Sequence, residues 1–121
     1  MDVPTPETRF ELAVDAIGGV LALAVRGELV GPSREQVREC LDQAIRGGRP
    51  VVLDLTETVE LDGESIGMLL EAHRRLARRL RIVAERGGPV RAALKREGVA
   101  HVLALHGSRA EALAAATHAE L

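Results

Sequence analysis

The sequence is nearly devoid of aromatic residues: Phe10 is the single one, and tryptophan and tyrosine are absent. Proteins that bind single-stranded nucleic acid usually stack bases on aromatic rings, so this class is disfavoured. The net charge of -2 also argues against DNA and RNA binding, because it gives no general attraction to phosphates. Hydrophobic residues nevertheless make up 46% of the chain, which predicts an aliphatic core.

Cysteine and long apolar runs are scarce as well. Cys40 is the only cysteine, which excludes an internal disulfide and a thiolate metal cluster. The histidines show no spacing typical of metal ligands; they are His73, His101, His106 and His118. No uncharged stretch reaches the 18 residues of a membrane helix, and the N-terminus lacks the pattern of a signal peptide. We therefore expect a cytoplasmic protein without a metal, a cofactor or direct membrane insertion.

The length of 121 residues fits one domain. Residues 1–8 contain two prolines among polar neighbours and are predicted to form a flexible N-terminal arm, which leaves 9–121 as a single domain. Alternating apolar residues from position 10 to 14 and the apolar run at 20–25 are separated by Gly18 and Gly19. This pattern predicts a β-hairpin.

Two amphipathic helices are predicted in the middle of the chain. The first follows a capping box formed by Ser33 and Gln36, and Gly47 and Gly48 end it. Its predicted inner face consists of Val37, Cys40, Leu41, Ala44 and Ile45. The predicted inner face of the second helix consists of Ile66, Leu69, Leu70, His73 and Ala77.

Further strands and helices complete the pattern. The segment VVLDL at 51–55 is almost continuously apolar, as expected of a central strand, and shorter strands are predicted at 80–84 and 102–105. Pro89 begins a third helix, and a capping box at 108–111 precedes a fourth. Strands that alternate with helices predict an α/β layer structure with helices against a mixed sheet.

The segment at 51–70 joins an apolar strand to the second helix through an acidic turn. A helix N-terminus presents unpaired N–H groups and the positive end of the helix dipole, so it stabilises an anion. Asp62 is a predicted N-cap, and Glu64 is an acid in the first turn. Helix stability alone is one sufficient explanation of both residues.

The same turn resembles the phosphorylation loop of STAS domains, the family of bacterial anti-sigma factor antagonists, whose loop commonly reads Asp-Ser-Ser-Gly-Leu-Gly. The corresponding residues here are Asp62, Gly63, Glu64, Ser65, Ile66 and Gly67. Three other segments resemble the family in order and spacing: GEL at 27–29, VVLDL at 51–55 and VRAALKREGV at 90–99. The resemblance covers residues 10–117. It implies a STAS-like mixed sheet of four to five strands, with about four helices packed mainly on one face.

The resemblance also implies a function. In the family, the unphosphorylated antagonist binds an anti-sigma factor, often a serine kinase, and phosphate on the second serine separates the pair. Glu64 occupies that position, so we expect a binding module, not an enzyme, with a fixed charge in place of the phosphoserine. The expected partner contact is the loop at 61–67 and the helix after it, with Asp62, Gly63, Glu64, Ser65, Gly67, Met68 and Glu71. Ser65 is an alternative phosphoacceptor.

Two other roles stay open. A STAS subunit can regulate or scaffold a membrane transport complex, such as a lipid or sulfate carrier, without being phosphorylated. A scaffold in a signalling assembly would depend on self-association as a homodimer. The densest charge cluster, at 74–81, is predicted to be a solvated face paired with Glu71 or a contact for an acidic partner. It consists of Arg74, Arg75, Arg78, Arg79 and Arg81.

Overall fold

The computed structural model describes residues 10–118. The strands are β1 (Phe10–Ile17), β2 (Val20–Leu29), β3 (Val51–Asp54), β4 (Thr58–Leu61), β5 (Leu80–Val83) and β6 (Leu105–His106). The helices are α1 (Pro32–Gly47), α2 (Gly63–Leu76), α3 (Pro89–Arg96) and α4 (Arg109–His118), and a 3₁₀ turn (Ala77–Arg79) joins α2 to β5. The predicted arm at 1–8 lies outside the described residues.

The six strands form one mixed sheet in the order β1-β2-β3-β5-β6, and β4 pairs with the far end of β2. β1 and β2 form an antiparallel hairpin. Gly18 and Gly19 both have positive φ at its turn, which confirms the predicted hairpin. All other pairings are parallel. The length of β2 allows residues 21–24 to pair with β3 and residues 27–29 to pair with β4.

Helices cover both faces of the sheet, but unequally. Alternate strand residues such as Leu23, Leu53 and Ile82 are fully buried in a core that also contains side chains of α1, α2 and α3. On the other face, Val52 and Val83 form a smaller core with Ala112 and Ala116 of α4. The predicted fold, with helices mainly on one face, is confirmed. The sheet has six strands, however, and not four to five.

The additional strand is β4, which the sequence does not reveal. Its four residues do not alternate regularly between buried and exposed, because Thr58 and Leu61 are buried and the two residues between them are exposed. A register shift near Gly27 in β2 accommodates this spacing. The Thr58 hydroxyl donates a hydrogen bond of 2.9 Å to the Val25 carbonyl oxygen, which satisfies this buried polar group.

The prediction for the inner face of α2 is partly wrong. Ile66 and Leu69 are buried as expected, but Ala77 is exposed, because α2 ends at Leu76. Ala77 has φ 54° and ψ -131°, a conformation in which the helix cannot continue. His73 is only half-buried.

Two further boundaries differ from the predictions. The N-cap of α1 is Gly31, not Ser33, so the predicted capping box is wrong there. The last strand is shorter than 102–105 because the Val102 amide donates to the Val99 carbonyl, which keeps the chain in a turn. The N-cap of the capping box predicted at 108–111 is confirmed at the start of α4, where the Glu111 amide donates to the Ser108 hydroxyl at 3.2 Å.

Candidate functional site

The end of β2 holds the N-termini of α1 and α2 side by side. The Ser33 hydroxyl, in the first turn of α1, lies 2.8 Å from the Glu28 carbonyl oxygen and accepts a hydrogen bond from the Val30 amide at 2.9 Å. The Ser65 hydroxyl, in the first turn of α2, donates to the Leu29 carbonyl oxygen at 2.7 Å. The two serines therefore tie both helix starts to one short segment of backbone.

Asp62 begins α2 as its N-cap, which confirms that prediction. Its backbone is extended, and its Oδ1 accepts a hydrogen bond of 2.8 Å from the Ser65 amide. This bond satisfies one of the free N–H groups of the first turn. Gly63, which follows, is the first helical residue and is exposed.

Arg34 joins the two helix starts electrostatically. Its Nη1 lies 3.2 Å and 3.1 Å from the two carboxylate oxygens of Asp62, and its Nη2 donates to Glu64 Oε1 at 2.7 Å. The Arg34 side chain is only 11% exposed, whereas the Glu64 side chain is 79% exposed. The largely buried Arg34 guanidinium thus pairs with two carboxylates, that of Asp62, which is partly exposed, and that of Glu64, which faces solvent.

The charge arrangement changes the acidity of Asp62. Burial by itself raises the pKa of this carboxyl, but hydrogen bonds from Ser65 and the charge of Arg34 outweigh burial. The net effect holds the pKa of Asp62 below its ordinary value of 3.8. Asp62 is therefore a carboxylate at neutral pH, and both of its roles, cap and ion-pair partner, use the charged form.

The exposed face of the loop and α2 carries few side chains, because two of its residues are glycines. Gly63, Gly67 and Glu71 follow one another at a spacing of four residues, so they lie along one face of α2, beside Glu64. A Cβ added at Gly63 or Gly67 would meet no atom within 4 Å. The two glycines therefore leave open surface, and another protein could approach the helix backbone closely there.

Two of the predicted contact residues lie inside the protein. The prediction that Met68 faces outward is wrong: Met68 is 5% exposed and belongs to the main core, which also contains Val37 and Leu41 of α1. α2 packs against a neighbouring helix as well as the sheet, so it buries a wider stripe than a single-sided helix does. Ser65 is fully buried, and its hydroxyl is engaged by Leu29. A kinase could reach that hydroxyl only after local opening of the helix start.

Glu71 is the predicted contact residue that lies furthest along α2 from the loop. Its carboxylate accepts hydrogen bonds of 2.6 Å and 2.8 Å from Arg74, and it lies 3.9 Å from Arg75. These pairs confirm the predicted pairing of Glu71 with the arginine cluster. Surface pairs of this kind are worth at most about 1 kcal/mol, so Glu71 can exchange partners at little cost.

Sequence reasoning missed Arg34, although one signal was present. A basic residue in the first turn of a helix opposes the helix dipole and therefore calls for an acidic neighbour. That neighbour lies 28 residues away at Asp62, and the chain between them forms the rest of α1 and two strands. Only the pairing of β4 with the end of β2 shows that the two turns meet.

Neither a metal site nor a membrane helix is seen between residues 10 and 118. No group of three acidic, histidine or cysteine side chains is placed to hold a metal ion in this part of the chain. Among the helices described, none combines the length and the apolar character needed to cross a bilayer.

Comparison with known proteins gives a family match over most of the chain. The model of the family described as "Mlab, STAS domain" matches residues 12–105. No curated protein matches the sequence significantly.

Several solved structures share the fold at low sequence identity. An anti-sigma factor antagonist from Mycobacterium paratuberculosis has a TM-score of 0.80 and 19% identity, over 95% of this chain and 99% of its own. The anti-sigma factor antagonist SpoIIAA in its unphosphorylated form has a TM-score of 0.69 and 18% identity, over 85% of this chain and 93% of its own. The phosphorylated SpoIIAA of Bacillus has a TM-score of 0.60 and 21% identity, over 86% and 96%. With the family model covering residues 12–105, the chain belongs to the STAS domain family.

Proposed function

We propose that the protein is a binding module that engages an anti-sigma factor or a serine kinase through the loop at 61–67 and the exposed face of α2. The observation that carries the proposal is the position of Glu64. In the loop resemblance Glu64 corresponds to the family's phosphorylated serine. In the structure its carboxylate is held by Arg34 at 2.7 Å and still faces solvent. A partner that docks on α2 therefore meets a permanent negative charge.

In this proposal, Glu64 imitates part of the phosphorylated state. A phosphoserine carries about -1.5 to -2 charges at pH 7, whereas a glutamate carries one. Arg34 orders the Glu64 side chain in the way that an arginine orders a phosphate. The contact then has a fixed charge, and phosphorylation at position 64 cannot change it because no hydroxyl is present there.

The docking face can be tested with two glycine substitutions. Gly67→Gln places a side chain in the middle of the proposed contact, and its Cβ would meet no atom within 4 Å. Gly47→Gln is the matched control, because Gly47 ends α1 at the opposite end of that helix from Arg34 and an added Cβ meets only Arg49 at ordinary distance. Each protein is used to capture partners from lysate of its own cells, and partners are identified by mass spectrometry and then titrated as purified proteins.

We expect the natural protein and Gly47→Gln to retain the same anti-sigma factor or kinase, and Gly67→Gln to lose it. A partner that binds Gly67→Gln as tightly as the natural protein would place the contact elsewhere. Loss of binding in both variants would also contradict a specific role for this face.

The charge can be tested separately with Glu64→Ser and Glu64→Gln. If the carboxylate repels the kinase, both variants should bind the kinase about tenfold more tightly. Only Glu64→Ser should acquire phosphate at residue 64, which mass spectrometry detects. Unchanged affinity together with no phosphorylation in Glu64→Ser would exclude a phosphate-mimicking role for Glu64.

A second candidate is a regulatory or scaffold subunit of a membrane transport complex or signalling assembly. The observation that favours it is that the loop offers no exposed hydroxyl, since position 64 is a glutamate and the Ser65 hydroxyl is buried against Leu29. For such a subunit, capture should yield transport or scaffold proteins, and the identity of residue 64 should not affect it. Equal capture of one such partner by natural protein and Glu64→Ser would support this candidate over the first.

A further inference from the structure

A groove lies at the opposite end of α2 from the loop at 61–67. It has a volume of about 450 Å³ and runs between the C-terminal end of α2, the 3₁₀ turn and the segment that leads into β6. The groove is wide open to solvent, so a ligand would bind against its wall and stay partly exposed. Because α2 has 14 residues, the groove is roughly 20 Å from the loop, so the proposed partner contact does not use it.

Arginines form one wall of this groove. Arg74, Arg78 and Arg81 all line it. Arg74 is paired with Glu71, but among residues 10–118 no acidic side chain lies within 4 Å of the Arg78 or Arg81 guanidinium. The Arg81 Nε donates to the Arg78 carbonyl at 2.8 Å, and within residues 10–118 no hydrogen bond from its terminal nitrogens is seen. Two guanidinium groups without a carboxylate partner favour an anion in the groove.

His73 lies beside the arginines in the lining of this groove. Its Nδ1 atom is buried, and no other group in the described part of the chain forms a hydrogen bond with it. Buried polar atoms almost always have a partner. The buried Nδ1 has no accessible surface toward the groove, so a ligand would contact the exposed part of the half-buried His73 ring.

The remaining wall is apolar. Val102, Leu103, Ala104 and Ala77 complete the lining. Val102 is 42% exposed, so the groove offers one exposed aliphatic side chain beside the arginines. Arginines beside exposed aliphatic side chains are suited to a ligand with an acidic end and an apolar end.

We propose that this groove binds a small organic anion, a carboxylate, sulfonate or phosphate ester with an apolar group. The acid lies against Arg78 and Arg81, and the apolar group covers Val102 and the exposed part of the His73 ring. The site would make a STAS-family binding module responsive to a metabolite or lipid-derived acid. It is independent of the loop, so failure of either proposal leaves the other intact.

The test uses 8-anilinonaphthalene-1-sulfonate, a fluorescent anion with apolar rings. The protein has no tryptophan or tyrosine, so the dye signal is free of intrinsic fluorescence. We expect saturable binding of one dye per chain, with NMR shifts at the His73 ring and the Val102 methyl groups. Arg78→Glu should weaken binding about tenfold or more, because a charge-assisted contact is replaced by repulsion. Octanoate should displace the dye at a much lower concentration than acetate if the apolar wall contributes.

The matched control is Arg96→Glu, which reverses an exposed arginine on α3 that does not line the groove. It should change the dye affinity less than about twofold. Arg81→Gln, a second groove variant, should weaken binding as Arg78→Glu does. Unsaturable binding, NMR shifts away from the groove, equal weakening by Arg96→Glu, or equal displacement by acetate and octanoate would each overturn the proposal.

Discussion

Arg34 Nη2 donates a hydrogen bond of 2.7 Å to Glu64 Oε1 and so joins the first turn of α1 to the first turn of α2. The same guanidinium contacts both carboxylate oxygens of Asp62. The cation alone would oppose the dipole of α1, and the two acids at the neighbouring helix start compensate for it. Glu64 is therefore tied to this end of the fold by Arg34.

Arg34→Ala should reduce the free energy of unfolding by about 1–2 kcal/mol, because a largely buried group that bonds two acids is lost. Arg38→Ala is the matched control. Arg38 lies one turn further along α1 and is half-exposed, with a single ion pair to Glu35 at 3.4 Å, so its loss should cost less than about 0.5 kcal/mol. Urea unfolding measures both values. Equal losses for the two variants would mean that the contacts of Arg34 contribute no more than a surface pair.

The Asp62 carboxylate should contribute to stability only where it is charged. Its folded-state pKa is lowered, so its contribution is fully present above the ordinary value of 3.8 and is lost as the pH falls through the lower folded value. Asp62→Asn keeps a good N-cap but has no carboxylate to titrate. We therefore expect a shallower acid dependence of the urea midpoint in this variant. An acid dependence identical to that of the natural protein would show that other groups are responsible.

His106 should make the protein less stable in mild acid. Burial lowers the pKa of His106, Arg81 and Arg91 lower it further, and Glu111 opposes them. The unfolded chain then takes up this proton first, so stability falls as the pH falls below about 6.5.

His106→Asn should lose less stability than the natural protein between about pH 7.5 and pH 5, measured by urea unfolding. The matched control is His101→Asn, which removes an exposed imidazole from the turn before β6. The stability of this control should depend on pH as that of the natural protein does. If the stability of His106→Asn depends on pH as strongly as that of the natural protein, His106 is not the cause of that dependence.

Ala77→Gly should stabilise the fold. Ala77 has φ 54° and is the only non-glycine with a positive φ among residues 10–118. Such a conformation costs about 1–3 kcal/mol for a residue with a Cβ and nearly nothing for glycine. After the greater freedom of glycine in the unfolded chain is subtracted, we expect a gain of about 1 kcal/mol. Ala92→Gly, on the exposed side of α3, should instead lose about 1 kcal/mol. Destabilisation by both substitutions would show that Ala77 is not strained.

Local signals predicted most of the elements. The hairpin follows from Gly18 and Gly19, the start of α3 from Pro89, and the end of α1 from Gly48, which has φ 66°. The cap at Asp62 also follows from its place before an amphipathic stretch. Each of these features depends on residues within one turn of helix or one tight turn, so the sequence carries the full physical cause.

Features that depend on packing between distant segments were not predictable in this way. Met68 was expected outside, but α2 packs beside α1 and buries it. β4 is too short and too irregular to show a strand pattern, and it forms because β2 extends past β3 and offers free backbone groups.

The sequence by itself determined the STAS family and the order of every element except β4. The tertiary structure alone decided that Ser65 is buried, that Arg34 holds Glu64, and that His73 and the arginines after it line a groove. The physical reason is range. Caps, turns and periodicity act over a few residues, whereas ion pairs, burial and grooves arise where segments distant in sequence meet in the folded chain.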